Sequence, residues 1–231
     1  MTYSLPQKLL AEFIGTFALI FIGAGAGAVI GGGTGGFAGI IAIAFAHGLV
    51  ILTFAYAYGA ISGGHFNPAV TVGLLTAGEI SVSDAIAYIV TQLVGGIVGG
   101  LLLLVVLGGA ETGLGKPGLF SGQIGTVAVT VSWIGGFIIE AVLAFFLVNT
   151  VLNTAVAGRG GDLAPLAIGF TLVLNIIMGG MLTGAAFNPA RAIGPMVATG
   201  DFSNFFLYML APLVGAVVAA LLYKGVFSPR R

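Results

Sequence analysis

The sequence predicts an all-α membrane protein: six spanning helices and two half-length re-entrant helices, arranged as an inverted 3+3 repeat. Three observations predict it. Six apolar stretches are each long enough to cross a bilayer. Two more are about half that length, and each opens on Asn-Pro-Ala after a glycine-rich approach. The same features recur in the same order in both halves of the chain.

The spans stand on an extreme composition. Of 231 residues, 58% are hydrophobic and 6% charged, with a mean hydropathy of +1.17. A water-facing surface needs roughly four times that charge, which excludes a soluble domain. The formal net charge is zero, so no nucleic-acid partner is implied. There is no cysteine, hence no disulfide framework, thiol nucleophile or Cys-ligated zinc. No cofactor and no resident metal are expected.

Taken in order, the spans are expected at about Leu9–Ile30, Phe37–Tyr58, Asp84–Leu107, Ser132–Ala157, Ala164–Met181 and Ser203–Val226. The first is too long for a cleaved signal segment and carries Glu12 inside it, so it reads as retained. The left-over segments Asn67–Ala77 and Asn188–Ala198 are too short to cross alone. Nothing outside the membrane is long enough for a second domain. Residues 1–231 therefore read as one domain, with a first repeat over about 8–107 and a second over about 132–226. Lys8, Arg159, Lys224, Arg230 and Arg231 fall on one side, against Lys116 in the loops of the other. The positive-inside rule puts both termini in the cytoplasm.

The repeat is legible residue by residue. Gln92-Leu-Val-Gly-Gly-Ile-Val-Gly-Gly-Leu-Leu matches Pro212-Leu-Val-Gly-Ala-Val-Val-Ala-Ala-Leu-Leu, the two Asn-Pro-Ala triplets correspond, and Glu12 has a counterpart in Glu140. Three spans per copy is odd, so the second copy enters the membrane from the opposite face.

Asn67-Pro68-Ala69 and Asn188-Pro189-Ala190 read as helix starts, with Asn as N-cap and Pro at the first helical position. A helix that starts at mid-membrane is tolerable only where its backbone is buried in protein or lines a water-filled cavity. By inverted symmetry the two starts meet at the bilayer centre. Each carries roughly half a positive charge, so the pair repels cations, including hydronium, from a shared constriction. The Asn side chains are left as donors to a passing atom. The approach loops Gly63-Gly64-His65-Phe66 and Gly184-Ala185-Ala186-Phe187 present a ladder of carbonyl acceptors.

One such triplet is an ordinary N-cap; two, each half a span long, are specific. Ser62-Gly-Gly-His-Phe-Asn-Pro-Ala-Val-Thr and Phe187-Asn-Pro-Ala-Arg resemble the two signatures of the aquaporin, or major intrinsic protein, family, and the resemblance covers essentially the whole chain. It implies an aquaporin-like hourglass, a homotetramer in a cell membrane, plasma or inner, with one pore per subunit, and passage of water and small neutral solutes without chemistry. It places a four-residue filter at His47, Ile176, Ala185 and Arg191. Water-selective members usually have an aromatic at the second-helix position and His at the fifth-helix one. Here the histidine sits on the second helix, a set similar to plant vacuolar and ammonia-permeable members. Neutral His47 supplies an acceptor suited to ammonia. Glycerol facilitators typically follow the arginine with Asp and carry aromatic bulk; Ala192 stands here, and glycerol is expected to enter slowly.

Glu12 and Glu140, carboxylates in apolar helices, must be hydrogen-bonded and are expected to hold the re-entrant loops. Gly95, Gly99 and Gly215 sit at spacings for close helix contact, and Gln92 is expected in packing or an inter-helix hydrogen bond. A secondary transporter would need a coupling-ion site, and the intramembrane acids are these two alone. A hydrolase has only Ser62 and His65 to offer, without a third group to form a relay.

Overall fold

The computed structural model describes residues 2–31 and 36–228, with Gly36 and Phe37 as backbone alone; Arg230 and Arg231 of the basic side lie outside the described residues. Its helices are α1 (Leu5–Gly31), α2 (Gly36–Ser62), α3 (Pro68–Ala77), α4 (Val82–Val106), α5 (Trp133–Val156), α6 (Ala164–Thr183), α7 (Pro189–Thr199) and α8 (Phe205–Phe227). Among the described residues six helices are long and apolar enough to cross a membrane. α3 and α7 are the two half-length ones.

Local chemistry sets the ends. α1 begins four residues before the expected Leu9, because Ser4 and Gln7 form a capping box: the Ser4 amide donates to Gln7 Oε1 at 2.9 Å. Ser81 and Ser132 cap α4 and α5, accepting from the amides of Asp84 and Gly135 at 3.1 Å each. α3, α6 and α7 stop on left-handed Gly78, Gly184 and Gly200.

The burial pattern is that of a bilayer protein. Val105, Phe206 and Leu174 are 75%, 69% and 66% exposed, while Glu12 and Glu140 are fully buried. Apolar side chains outside and carboxylates inside suit a hydrocarbon solvent, not water.

The helices pair by an inverted symmetry. α1 packs on α4 as α5 packs on α8, and α3 leans on α8 as α7 leans on α4. α2 and α6 cross at the pseudo-axis, where Gly48 and Gly169 meet: a Cβ on Gly48 would lie 2.6 Å from the Gly169 carbonyl oxygen, and one on Gly169 2.8 Å from that of Gly48. Gly95 and Gly99 give α4 its approach to α1, and Gly215 gives α8 its approach to α5. Gly96 and Gly100, on the other face of α4, press on α7; their Cβ positions lie 2.4 and 2.3 Å from the carbonyls of Ala190 and Gly194. Backbones this close exchange dispersion contacts that larger residues would forbid.

The long connection between the halves is a strap with its own structure. Leu114 is fully buried, Gly115 lies against the Ala24 carbonyl, and Pro117 against Gly184. The Phe120 amide donates to the Leu182 carbonyl at 2.9 Å, and β1 (Ser121–Ile124) and β2 (Val127–Thr130) form an antiparallel hairpin. Lys116 pairs with Asp201, beyond α7, at 2.8 Å.

Candidate functional site

The two helix starts meet. Asn67 caps α3 by accepting from the Ala69 amide at 2.8 Å; Asn188 caps α7, accepting from Ala190 and Arg191 at 2.9 and 3.2 Å. Each side-chain amide then crosses to the other half. Asn67 Nδ2 donates to the Phe187 carbonyl and Asn188 Nδ2 to the Phe66 carbonyl, both at 3.0 Å. An amide nitrogen has two N–H groups, so one on each Asn is spent on this tie and one is left. The Phe66 and Phe187 carbonyls, expected among the rungs of the acceptor ladder, each accept one of these bonds and keep a second lone pair.

The approach loops owe their shape to unusual backbone. Gly63 and Gly64 have φ of 91° and 63°, and Gly184 has 78°. Phe66, Ala185 and Phe187 are also left-handed, at 47°, 41° and 31°. A side-chain-bearing residue there costs on the order of 1–2 kcal/mol and needs support from outside the loop. The two buried glutamates supply it. Glu12 accepts from the amides of His65 (2.9 Å) and Phe66 (2.7 Å) and from Ser62 Oγ (2.7 Å). Glu140 accepts from the amides of Ala186 (3.0 Å) and Phe187 (2.5 Å) and from Thr183 Oγ1 (2.6 Å).

The sequence reading missed the rest of this bracket. Ser62 and Thr183 receive the next amide, of Gly64 and Ala185, at 3.1 and 3.2 Å. Tyr88 and Tyr208 donate to the carbonyls of Ser62 and Thr183 at 2.9 and 2.7 Å. Ser and Thr before a glycine, and two Tyr each four residues ahead of a matched stretch, were the signal, visible only once the halves are aligned. Gln92 extends the first bracket alone: its Nε2 donates to Glu12 Oε2 at 2.7 Å and to Thr71 Oγ1 at 3.0 Å. Thr71 Oγ1 in turn lies 3.0 Å from His65 Nδ1, and the His65 ring packs edge-on against Tyr88. Pro212 and Ala192 stand at the matching places in the second half, so that bracket is smaller.

Around the crossing lies a cavity whose lining includes His47, Asn67, Asn188, Ala185 and Arg191. It shares Gly64, Val151 and Ile168 with an open vestibule beside Tyr56 and Asp162. At its other end it shares His47 and Arg191 with an open vestibule lined by Ile176, Gly184 and the strap residues Thr112, Gly113, Gly115 and Lys116. Through these shared residues the three cavities adjoin one another in series along the bundle.

All four positions expected as a filter lie at one junction of this series. His47 and Arg191 line both cavities, Ala185 the inner and Ile176 the outer. His47 Nδ1 lies 2.9 Å from the Ile43 carbonyl, which can only accept, so Nδ1 carries the proton. His47 Nε2 and Arg191 Nε and Nη1 are buried with no protein partner. Among the described residues the ion pair is Lys116–Asp201, so Arg191 is not neutralised by a carboxylate contact. Buried polar atoms without partners are costly, and here they cluster where the two cavities meet. At the matching places of the other half stand Ile168 for His47 and Val70 for Arg191, both on the cavity wall. The fold is symmetric; its polar chemistry sits at one end.

Comparison with known proteins agrees with this architecture. The family model described as major intrinsic protein matches residues 1–223. The chain is 42% identical to aquaporin TIP1-2 of Zea mays over 97% of its length and 87% of that protein's. It is 41% identical to glycerol uptake facilitator protein-like 6 of Lactiplantibacillus plantarum, over 93% of this chain and 95% of that one. The solved aquaglyceroporin of Plasmodium falciparum superposes with a TM-score of 0.80 at 25% identity, covering 98% of each chain. Six apolar spans, paired half-helices and these relatives agree: the chain belongs to the major intrinsic protein family, the aquaporins, multi-pass membrane channels without enzymatic activity.

Proposed function

We propose that the passage conducts water and neutral ammonia, excludes protons and ions, and admits glycerol slowly. The observation that carries the reading is the cluster of unpartnered polar atoms at the junction: His47 Nε2, an acceptor, opposite the Arg191 donors, with Ile176 and Ala185 completing the wall. Water can donate to His47 and accept from Arg191. Ammonia has one lone pair and three N–H groups, so it gains more from the added acceptor than water does. Ion exclusion rests on Arg191 and on the two helix starts, each with roughly half a positive charge, directed at one constriction. The remaining Asn N–H groups orient an oxygen there, which interrupts a chain of waters that would otherwise pass protons.

The relatives' names include both an aquaporin and a glycerol uptake facilitator, so the filter is read to decide between them. With neither Ile176 nor Ala185 aromatic, the stem of a polyol has little to pack on. The arrangement in the cell belongs to the same proposal: a homotetramer with one passage per subunit, in the cell membrane, both termini cytoplasmic. Arg159, which donates to the Phe227 carbonyl, and Lys224, which donates to the Thr76 carbonyl at 3.2 Å, support a common basic face.

The test is the exchange Ile176→His with His47→Phe, assayed in proteoliposomes for both solutes. Ammonia flux is expected to fall to the empty-vesicle level while water flux persists. Wild-type ammonia flux no faster than in empty vesicles refutes the ammonia reading outright.

A further inference from the structure

We propose that Gly23, which is outside the four filter positions, sets the filter's aperture by giving the His47 ring its recess; this rests on the reading of His47 as a filter residue. Gly23 lies in a π-helical stretch of α1, Leu19–Ala24, where the chain widens by one residue per turn. Such insertions are frequent at functional sites because they re-aim the local backbone. A Cβ on Gly23 would lie 2.7 Å from His47 Cδ2 and 2.9 Å from both Cγ and Nε2. Real atoms do not approach so closely, so one of three things must move: α1, α2 or the ring.

Neither helix has room to move. On α1, Ile20 packs so closely on Gly99 of α4 that a Cβ there would lie 3.0 Å from it, and a Cβ on Gly115 of the strap would lie 2.2 Å from the Ala24 carbonyl oxygen. On α2, the residue after His47 is Gly48, pinned backbone to backbone against Gly169 of α6. The ring therefore gives way. Its hydrogen bond from Nδ1 to the Ile43 carbonyl breaks, or the whole imidazole swings off the α1 wall toward Arg191. Both change the gap between Nε2 and the guanidinium, and with it which solutes pass. Gly23 is thus a positioning residue for specificity, acting through His47 and touching no solute.

A double-mutant cycle tests it, with Gly23→Ala, His47→Ala and the double variant in proteoliposomes, reading the ratio of ammonia to water permeability. Gly23→Ala alone is expected to shift the ratio by about fivefold, a coupling ordinary for residues in contact. Added to His47→Ala it is expected to change nothing, because the ring it displaces is gone. An equal shift in both backgrounds overturns the proposal and leaves the filter reading intact. A ratio unmoved by His47→Ala sinks the filter reading itself. Should Gly23→Ala alone fail to fold, a folded and conducting double variant supports the recess, whereas a double variant that also fails locates the clash elsewhere and overturns it.

Discussion

Replacing Glu140 by Gln perturbs the second re-entrant loop with almost no change of shape. Oε1 of Glu140 takes Thr183 Oγ1 and the Ala186 amide, and Oε2 takes the Phe187 amide. A Gln side chain has one acceptor oxygen. Whichever way it turns, its NH2 faces a backbone N–H that cannot reverse, while the Thr183 hydroxyl can rotate. One buried donor is orphaned, at about 1–3 kcal/mol, and the surviving bonds lose their charge assistance, at roughly 1 kcal/mol more. A loss of about 3 kcal/mol in a chain of this size lowers Tm by roughly 6–12 °C. The left-handed Ala185 and Phe187 are then under-supported, and the Asn67–Phe187 tie goes with them. Thermal unfolding in detergent and osmotic shrinkage of proteoliposomes measure the two effects. Glu140→Gln is expected to lower Tm by that amount and water flux several-fold. A Tm within about 1 °C of wild type, with unchanged flux, refutes the claim that the carboxylate holds the loop.

Other expectations follow from single contacts. Gly215→Ala puts a methyl 1.9 Å from the Ala141 carbonyl oxygen and is expected to cost about 3 kcal/mol or more, seen as lost folded yield. Gly59→Ala meets nothing within 4 Å and is the matched control, neutral or stabilising by up to about 1 kcal/mol. The Asp201 carboxyl is held well below its ordinary pKa of 3.8, first by the hydrogen bond from Lys116 and then by Ser203. A depressed acid stabilises the fold above its ordinary pKa and loses that contribution as pH falls below it. Protection of the strap amides, taken relative to their intrinsic exchange rates, is therefore expected to fall in wild type below pH 4 or so, and to stay level there in Asp201→Asn.

Much of this molecule was legible in its residues. The spans and half-helices follow from hydropathy and length alone, since hydrocarbon leaves the backbone few options. The pairing of Asn67 with Asn188 followed from symmetry. What symmetry could not supply is who takes the last hydrogen bonds. The Asn amides reach across to the Phe66 and Phe187 carbonyls, a tie with no signal in either half alone, because that contact exists only once both halves are assembled. Ser62, Thr183, Tyr88 and Tyr208 escaped notice for a related reason: small hydroxyls in apolar helices carry no pattern until their partners are placed. The strap was unreadable because Leu114 and the hairpin lack periodicity, and Gly23 because a glycine among forty is no signal without its neighbour.

Stopped-flow light scattering on proteoliposomes carrying an internal pH dye reads water and proton movement in one sample. Fast shrinkage with a standing pH gradient left intact is the result expected of a passage gated by two electropositive helix tips. Shrinkage no faster than in protein-free vesicles, or a gradient that collapses along with it, contradicts it.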